Sequence, residues 1–374
     1  MNVKQVCGAV ALCGVWVGAA SAQTSSVTLY GSIDQYLNYM KSSSGASIKS
    51  LQDGAIMRSR LGFRGVEDLG DGLQAKFTLE TGLSADTGAS AETSRFFDRQ
   101  AWVGLSSNDL GEFRLGRQNT AVFTRGGNVD FTARTLGSIV NNFGVPARLD
   151  NDIAYISPKF AGFQVEAHYA TAESTLGTGS QAVYQFAVDY TAGDFKANYA
   201  GVRAKAPKGA AVSKTIGYDN LNANYDYGSG KVYAAFVRSN NVSTTSATAF
   251  GNLLGGTGTL VSGASTTAAD AARYYNIWQI SGDYRVSPSL RVGALYGKIV
   301  DTSDSQRGAK GGAIGAYYDL SKRTSVYAML ESMQNEANAG FRAFGSAALS
   351  PNFTGTDVYG RRISGTQVGV LHKF

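Results

Sequence analysis

The chain is 374 residues long and carries 46 glycines, 20 tyrosines and 18 phenylalanines but only 5 prolines. Glycine stands well above the ~7% of ordinary proteins, helix-forming patterns are nearly absent and charged residues are an ordinary 17%, so the composition points to an all-β chain. The formal net charge of +6 is mild and gives no case for a nucleic-acid binder, which concentrates Lys and Arg on one patch.

The first 22 residues read as an export signal: Lys4, an apolar run Ala9–Ala20, and Ala20-Ser21-Ala22 as a small-x-small cleavage site, leaving residues 23–374 as the working chain. The run is too short to cross a bilayer as a helix. Both cysteines, Cys7 and Cys13, lie inside it, and Leu12 stands where a lipoprotein signal needs a small residue. An exported chain without disulfides must hold itself together by other means.

From Val27 onward the pattern is period two. In SVTLYGSIDQYLNY, Leu29, Gly31, Ile33 and Leu37 oppose Tyr30, Ser32, Asp34 and Tyr36. In SRLGFRG, Leu61 and Phe63 oppose Arg60 and Arg64; in LQAKFTLE, Phe77 and Leu79 oppose Lys76, Thr78 and Glu80. Segments around 184–190, 278–284, 290–296 and 314–320 repeat the alternation over the nine to eleven residues that a tilted membrane strand needs. Short turns near 69–72, 107–111, 159–162, 192–194, 228–230, 287–289 and 321–323 alternate with long polar connections near 40–58, 82–97, 118–148, 171–181, 203–214, 239–273, 301–310 and 334–360. Seven short and eight long connections in strict alternation predict sixteen antiparallel strands, closed into a barrel without edges.

The third long connection, 118–151, has neither strand alternation nor a sustained helical stripe. A connection of that length in a compact fold is usually functional. The segment 239–273 is uncharged between Arg238 and Asp270 and reads as a solvated outer loop. In GTQVGVLHKF, Val368, Val370, His372 and the terminal Phe374 share one face, as in a closing strand that carries an assembly signal.

Enzyme chemistry has little to stand on. There are two histidines; His168 shares the polar face of Glu166 and is expected toward water, and His372 lies on the apolar face. No Ser-His-Asp set, metal-ligand spacing or phosphate loop can be built, so no metal and no cofactor are expected.

The stretches VTLYGSIDQYL, SRLGFRGVEDLGDGLQAKFTLETG, DRQAWVGL, LGRQ, SPKFAGF, DLSKRTSVYA and VGVLHKF resemble the general trimeric porins of Gram-negative outer membranes, especially the betaproteobacterial branch, over essentially the whole exported chain. The resemblance implies a sixteen-stranded transmembrane β-barrel in a homotrimer, set among outer-membrane lipid and lipopolysaccharide. It implies passive diffusion of small hydrophilic solutes and ions, with the third long connection folded inward as a constriction loop. It further implies a ladder of basic side chains facing that loop: Arg60, Arg99 in DRQAWVG and Arg148 in ARLDNDIAY. Period two supports Arg60. It is silent on Arg99, because FDRQAWVGL is apolar on both faces, as a strand packed on a neighbouring subunit is, and Arg148 rests on the resemblance alone. Arg64, Lys76, Asp130 and Asn142 are expected at the same constriction. Enterobacterial relatives carry a Pro-Glu-Phe-Gly-Gly motif where this chain has Asn141-Asn142-Phe143-Gly144. With that carboxylate gone, the eyelet is expected to favour anions. Two other readings stay open: a channel specific for phosphate or organic acids, and a surface or structural barrel without an open pore.

Overall fold

A computed structural model describes residues 25–171, 182–205, 215–240 and 274–374. The leader expected over residues 1–22 and most of the connections at 171–181, 203–214 and 239–273 lie outside these. The first strands are β1 (Ser26–Ser42), β2 (Ser47–Asp53), β3 (Arg60–Gly70), β4 (Leu73–Ser84), β5 (Ala89–Ser90) and β6 (Gln100–Ser107). There follow β7 (Gly111–Asn119), β8 (Arg148–Ile156), β9 (Phe163–Ala170), β10 (Val183–Ala192), β11 (Phe195–Lys205) and β12 (Thr215–Asp226). The last are β13 (Gly230–Ser239), β14 (Tyr275–Arg285), β15 (Leu290–Asp301), β16 (Ala309–Asp319), β17 (Thr324–Asn335) and β18 (Arg362–Lys373).

Every pairing among them is antiparallel, and β1 closes the sheet on β18 from Ser32↔Lys373 to Ser42↔Ile363. In hydrocarbon each unpaired backbone group costs several kcal/mol, so a spanning sheet has to close. Two strands are not separate staves. β5 pairs only with Leu83 and Ser84. β2 lies beside the loop-end half of β1 (Lys41↔Ser47 to Gln35↔Asp53), while β3 lies beside its other half (Ser32↔Arg60 to Ser26↔Val66). Sixteen staves remain among the described residues, joined by the expected alternation of short and long connections.

The period-two faces point as the alternation requires. On β14, Ile280 is 66% exposed on the outside while Ile277 is fully buried on the inside. An exposed apolar outer face is what a lipid-facing wall presents. On β6, Val103 and Leu105 point outward and are exposed, whereas Trp102 and Gly104 face inward. The strand is therefore not apolar on both faces in the same sense: its inner aromatic serves the lumen.

Three segments leave the wall and fill part of the interior. Residues 120–147 carry α1 (Ala121–Thr124), a 3-10 turn (Gly126–Asn128) and α2 (Ile139–Phe143), nearly all buried. Helix α1 packs on β9, β10 and β11, the 3-10 turn on β12, and α2 on β14, β15 and β16. Residues 54–59 bend inward between β2 and β3: the Ala55 carbonyl accepts from Leu136 N (3.4 Å) and Ser346 N (3.0 Å). The connection 336–361 also enters the barrel, with Ala339 and Phe341 fully buried. It is more than the long polar connection expected there, because apolar Phe341 packs on Phe143 and Tyr275 (centroids 6.2 and 6.3 Å).

The chain terminus ties into the closure. Phe374 N donates to the Gly31 carbonyl (3.1 Å) and Gly31 N to the Phe374 carbonyl (3.0 Å). A side chain at Gly31 would overlap the Phe374 ring. Gly31→Val and Phe374→Ala are therefore expected to slow closure, leaving protease-sensitive chain in place of the compact, heat-modifiable band on unheated SDS gels. Unchanged yields of that band in both variants would contradict the contact.

Candidate functional site

The inner faces of β3 and β4, Arg99 just before β6 and Arg148 at the start of β8 bring together a group of guanidiniums around one carboxylate. Glu80 is 2% exposed. Arg99 Nε donates to its Oε1 (2.6 Å), Arg60 Nη1 lies 3.6 Å from its Oε2, and the Tyr30 hydroxyl donates to Oε2 (3.0 Å). Breaking a buried pair by removing one partner costs about 3–5 kcal/mol, so Glu80 holds Arg99 as much as it neutralises it. Arg148 stands in the fields of Arg99, Glu80, Arg117 and Arg60. Its Nε and Nη2 are buried without a hydrogen-bond partner among the described residues, and its guanidinium lies 4.8 Å from the centroid of Phe123 on α1. Arg117 Nη1 and Arg95 Nη2 share Asp150 (2.5 and 2.7 Å). The structure thus brings Arg60, Arg99 and Arg148 together, with Glu80, Arg117 and Asp150 as members that the sequence did not single out. Arg58, on the inward stretch 54–59, stands in the fields of Asp53 and Arg99.

Arg64 and Lys76 do not sit at this level. Arg64 is four residues along β3 from Arg60, and Lys76 pairs with Val66, six residues along. At ~3.3 Å per residue that places them roughly 13 and 20 Å toward the short turns. Lys76 Nζ bonds Glu112 (3.2 Å), which also accepts from Arg114 Nε. They form a lower step of the same wall.

A closed barrel with an inward third connection and a basic inner wall has clear relatives. The model for the family described as Gram-negative porin matches residues 8–338. The chain is 30% identical to outer membrane porin protein 32 of Delftia acidovorans over 96% of each chain, and 34% identical to an outer membrane porin of Bordetella pertussis over 62% of this chain and 63% of that one. The chain belongs to the Gram-negative porin family. Among solved structures, an anion-selective porin from Comamonas acidovorans superposes with a TM-score of 0.74 at 26% identity, covering 94% of this chain and all of that one. This porin is an outer-membrane channel for passive diffusion and not an enzyme.

Two loop residues expected at the aperture do something else in this porin. Asp130 is 1% exposed. It accepts from Thr132 N (2.8 Å), Arg134 N (3.1 Å), Ser138 Oγ (2.7 Å) and Gln279 Nε2 (2.7 Å). Gln279 Oε1 in turn accepts from Ile139 N at the start of α2 (2.7 Å). Asp130 is therefore corrected from a pore-facing charge to the knot that ties the loop to β14. Asn142, 2% exposed, is corrected likewise: its Oδ1 accepts from Phe344 N (3.0 Å), joining the loop to 336–361. The neighbouring Arg134 is buried in the loop, and desolvation lowers its pKa from the ordinary arginine value against the fields of Tyr218 and Asp130.

His168 does not face water. It is 5% exposed, with Nδ1 2.7 Å from Asp152 and Nε2 2.7 Å from Glu166. Arg125 of the loop covers the group, bonding Glu166 (2.9 Å) and Asp189. The alternation placed His168 on the inner face correctly; the arginine that roofs it comes from 41 positions before Glu166 and left no local signal.

Removing a buried partner leaves each orphaned donor with about 1–3 kcal/mol of desolvation penalty. Asp130→Ala orphans donors at Thr132, Arg134, Ser138 and Gln279, so the loop is expected to detach while the barrel still closes. Single-channel recordings should show higher, noisier conductance and new protease cuts between 120 and 147. Conductance and noise equal to the parent's would contradict the knot.

Proposed function

We propose that ions and small hydrophilic solutes cross this porin through an aperture between the third loop and the arginine wall, and that the aperture favours anions. One contrast carries the reading. Inner-face residues on β10 to β17, such as Ala187, Ile277, Ile299 and Met329, are 0–1% exposed beneath the inward segments. Arg60, Lys76 and Arg114 on the opposite wall keep about a fifth to a quarter of their side chains accessible (21%, 27% and 25%). At the level of the inward segments, water and anything dissolved in it are left the basic side; nearer the short turns Lys231 on β13 and Arg291 on β15 are also a third accessible.

The charges around Arg148 are Arg60, Arg99 and Arg117 against Glu80, and the one further acid, Asp150, is shared by Arg117 and Arg95, so basic side chains outnumber acids. The Asn141–Asn142 stretch adds no acid from the loop. The Comamonas relative is described as anion-selective, which agrees in sign. A unit charge ~6 Å from a passing ion in water-like screening is worth roughly 0.7 kcal/mol, about threefold for an anion and threefold against a cation. Salt weakens it as the Debye length falls from ~10 Å at 0.1 M.

We also infer a homotrimer set in lipid and lipopolysaccharide, as the family resemblance implies. The apolar outer faces of β1 and β6, with Leu37 and Val103 exposed, suit either a neighbouring copy or lipid. An SDS-resistant oligomer that dissociates on heating is expected; a monomer at every concentration in mild detergent would refute the trimer.

The aperture is tested by charge reversal. Arg60→Glu should remove most of the anion preference, and Arg60→Glu with Arg148→Glu should yield cation selectivity in a barrel that still folds, since lumen substitutions tune selectivity. Arg238→Glu, at the loop end of β13, should move the reversal potential much less. A conducting double variant with the parent's reversal potential would sink the assignment.

A further inference from the structure

Below the arginine cluster, the wetted wall carries two guanidiniums, each laid over an aromatic ring. Arg64 lies 5.6 Å from the Tyr30 ring centroid and Arg114 4.4 Å from that of Trp102. Register places them in one patch: Arg64 pairs with Thr78, Thr78 with Trp102, Lys76 with Gly104, and Gly104 with Arg114. At ~4.8 Å between strands, Arg64 and Trp102 stand about 10 Å apart with Thr78 as the floor between them. Glycines make the stacks possible. A Cβ at Gly62 would come within 2.6 Å of the Tyr30 ring, and one at Gly104 within 3.2 Å of Arg114 Cγ. Where those side chains are missing, Tyr30 and Arg114 fold down along the wall.

We propose that this trough, on the short-turn side of the aperture, is a binding site for aromatic carboxylates. The donors are free to act. Arg64 makes no hydrogen bond among the described residues, and Arg114 uses its Nε on Glu112 and leaves its two terminal nitrogens open. Lys76, tied to Glu112 by one bond, supplies further donors to a carboxylate oxygen. With one acid among three bases, the patch keeps a net positive charge. A planar guanidinium takes a carboxylate along its edge and a ring against its face. A simple anion needs only the first; the aromatic lining adds the second. The site rests on the reading that this wall faces open water, but not on the aperture's selectivity.

The probe pair is benzoate and cyclohexanecarboxylate, matched in charge and differing in aromaticity, added on the short-turn side of a porin held in a planar bilayer in KCl. Benzoate should block the current saturably at roughly fivefold lower concentration, the range expected of an aromatic contact. Trp102→Leu should erase that gap and Trp102→Phe keep most of it, each checked for the compact, heat-modifiable barrel. The other tryptophan of the exported chain, Trp278, faces outward. In a Trp278→Phe background, benzoate should therefore change the emission of Trp102 saturably. Equal block by both acids, a gap that survives Trp102→Leu in a folded barrel, or unchanged emission would each overturn the proposal. If the Arg60→Glu, Arg148→Glu variant keeps the parent's reversal potential while the benzoate gap still depends on Trp102, the aperture reading fails and this site stands.

Discussion

The pore's asymmetry depends on one buried knot, Asp130 with Gln279. Gln279 donates to the loop carboxylate and accepts from the first amide of α2, so one side chain of β14 fixes both the tip of the loop and the start of its helix. A second clamp, Arg125 on Glu166 and Asp189, fixes the other end of the loop to β9 and β10. Between the two clamps the chain has little choice but to run along the wall from β9 to β16. Sixteen staves enclose a lumen too wide for wall side chains to fill, so what the loop does not cover stays wet.

Charge follows from that geometry. The covered wall is apolar or neutral at many inner positions, with Ala187, Ala200 and Ile277 buried on the loop side. Arg291 on β15 sits nearer the short turns and donates to the Phe131 carbonyl at 3.0 Å, whereas the uncovered wall carries Arg60, Arg99 and Arg148. Glu80 keeps two of them in place, and the field is set less by how many arginines the chain has than by how few acids the inward segments return. The same uncovered wall, nearer the short turns, changes character from guanidiniums around an acid to guanidiniums on aromatic rings. On the proposed path, a solute travelling down it meets an electrostatic filter and then a surface with shape.

Much of the barrel was legible because its physics is local. Period two and the alternation of short and long connections follow from strand pairing and need no distant partner. They placed sixteen staves, and they placed Arg60 and Arg64 on the inner face. They failed where the backbone breaks step. Between Leu149, in the loop-end half of β8, and Asp152 the register shifts opposite Gly116 and Gln118, with Asn151 at φ 53°; alternation therefore cannot place Arg148. The roles of Asp130 and Asn142 were hidden because their partners lie 149 and 202 positions away. The inward turn of 336–361 was hidden too, since a non-periodic segment looks the same whether it is solvated or roofed.

Beneath the inward segments the wall is sheathed, while the arginine wall is wetted, and that contrast can be measured directly. Both cysteines, Cys7 and Cys13, fall in the first 22 residues, so single cysteines introduced into a parent with Cys7→Ala and Cys13→Ala can be read without background. A charged, water-soluble thiol reagent should modify Arg64→Cys, Lys76→Cys and Arg114→Cys quickly and reduce the current. Under the same conditions it should leave Ala187→Cys, Ile277→Cys and Met329→Cys unmodified over the same time. Comparable rates on the two walls would contradict the account.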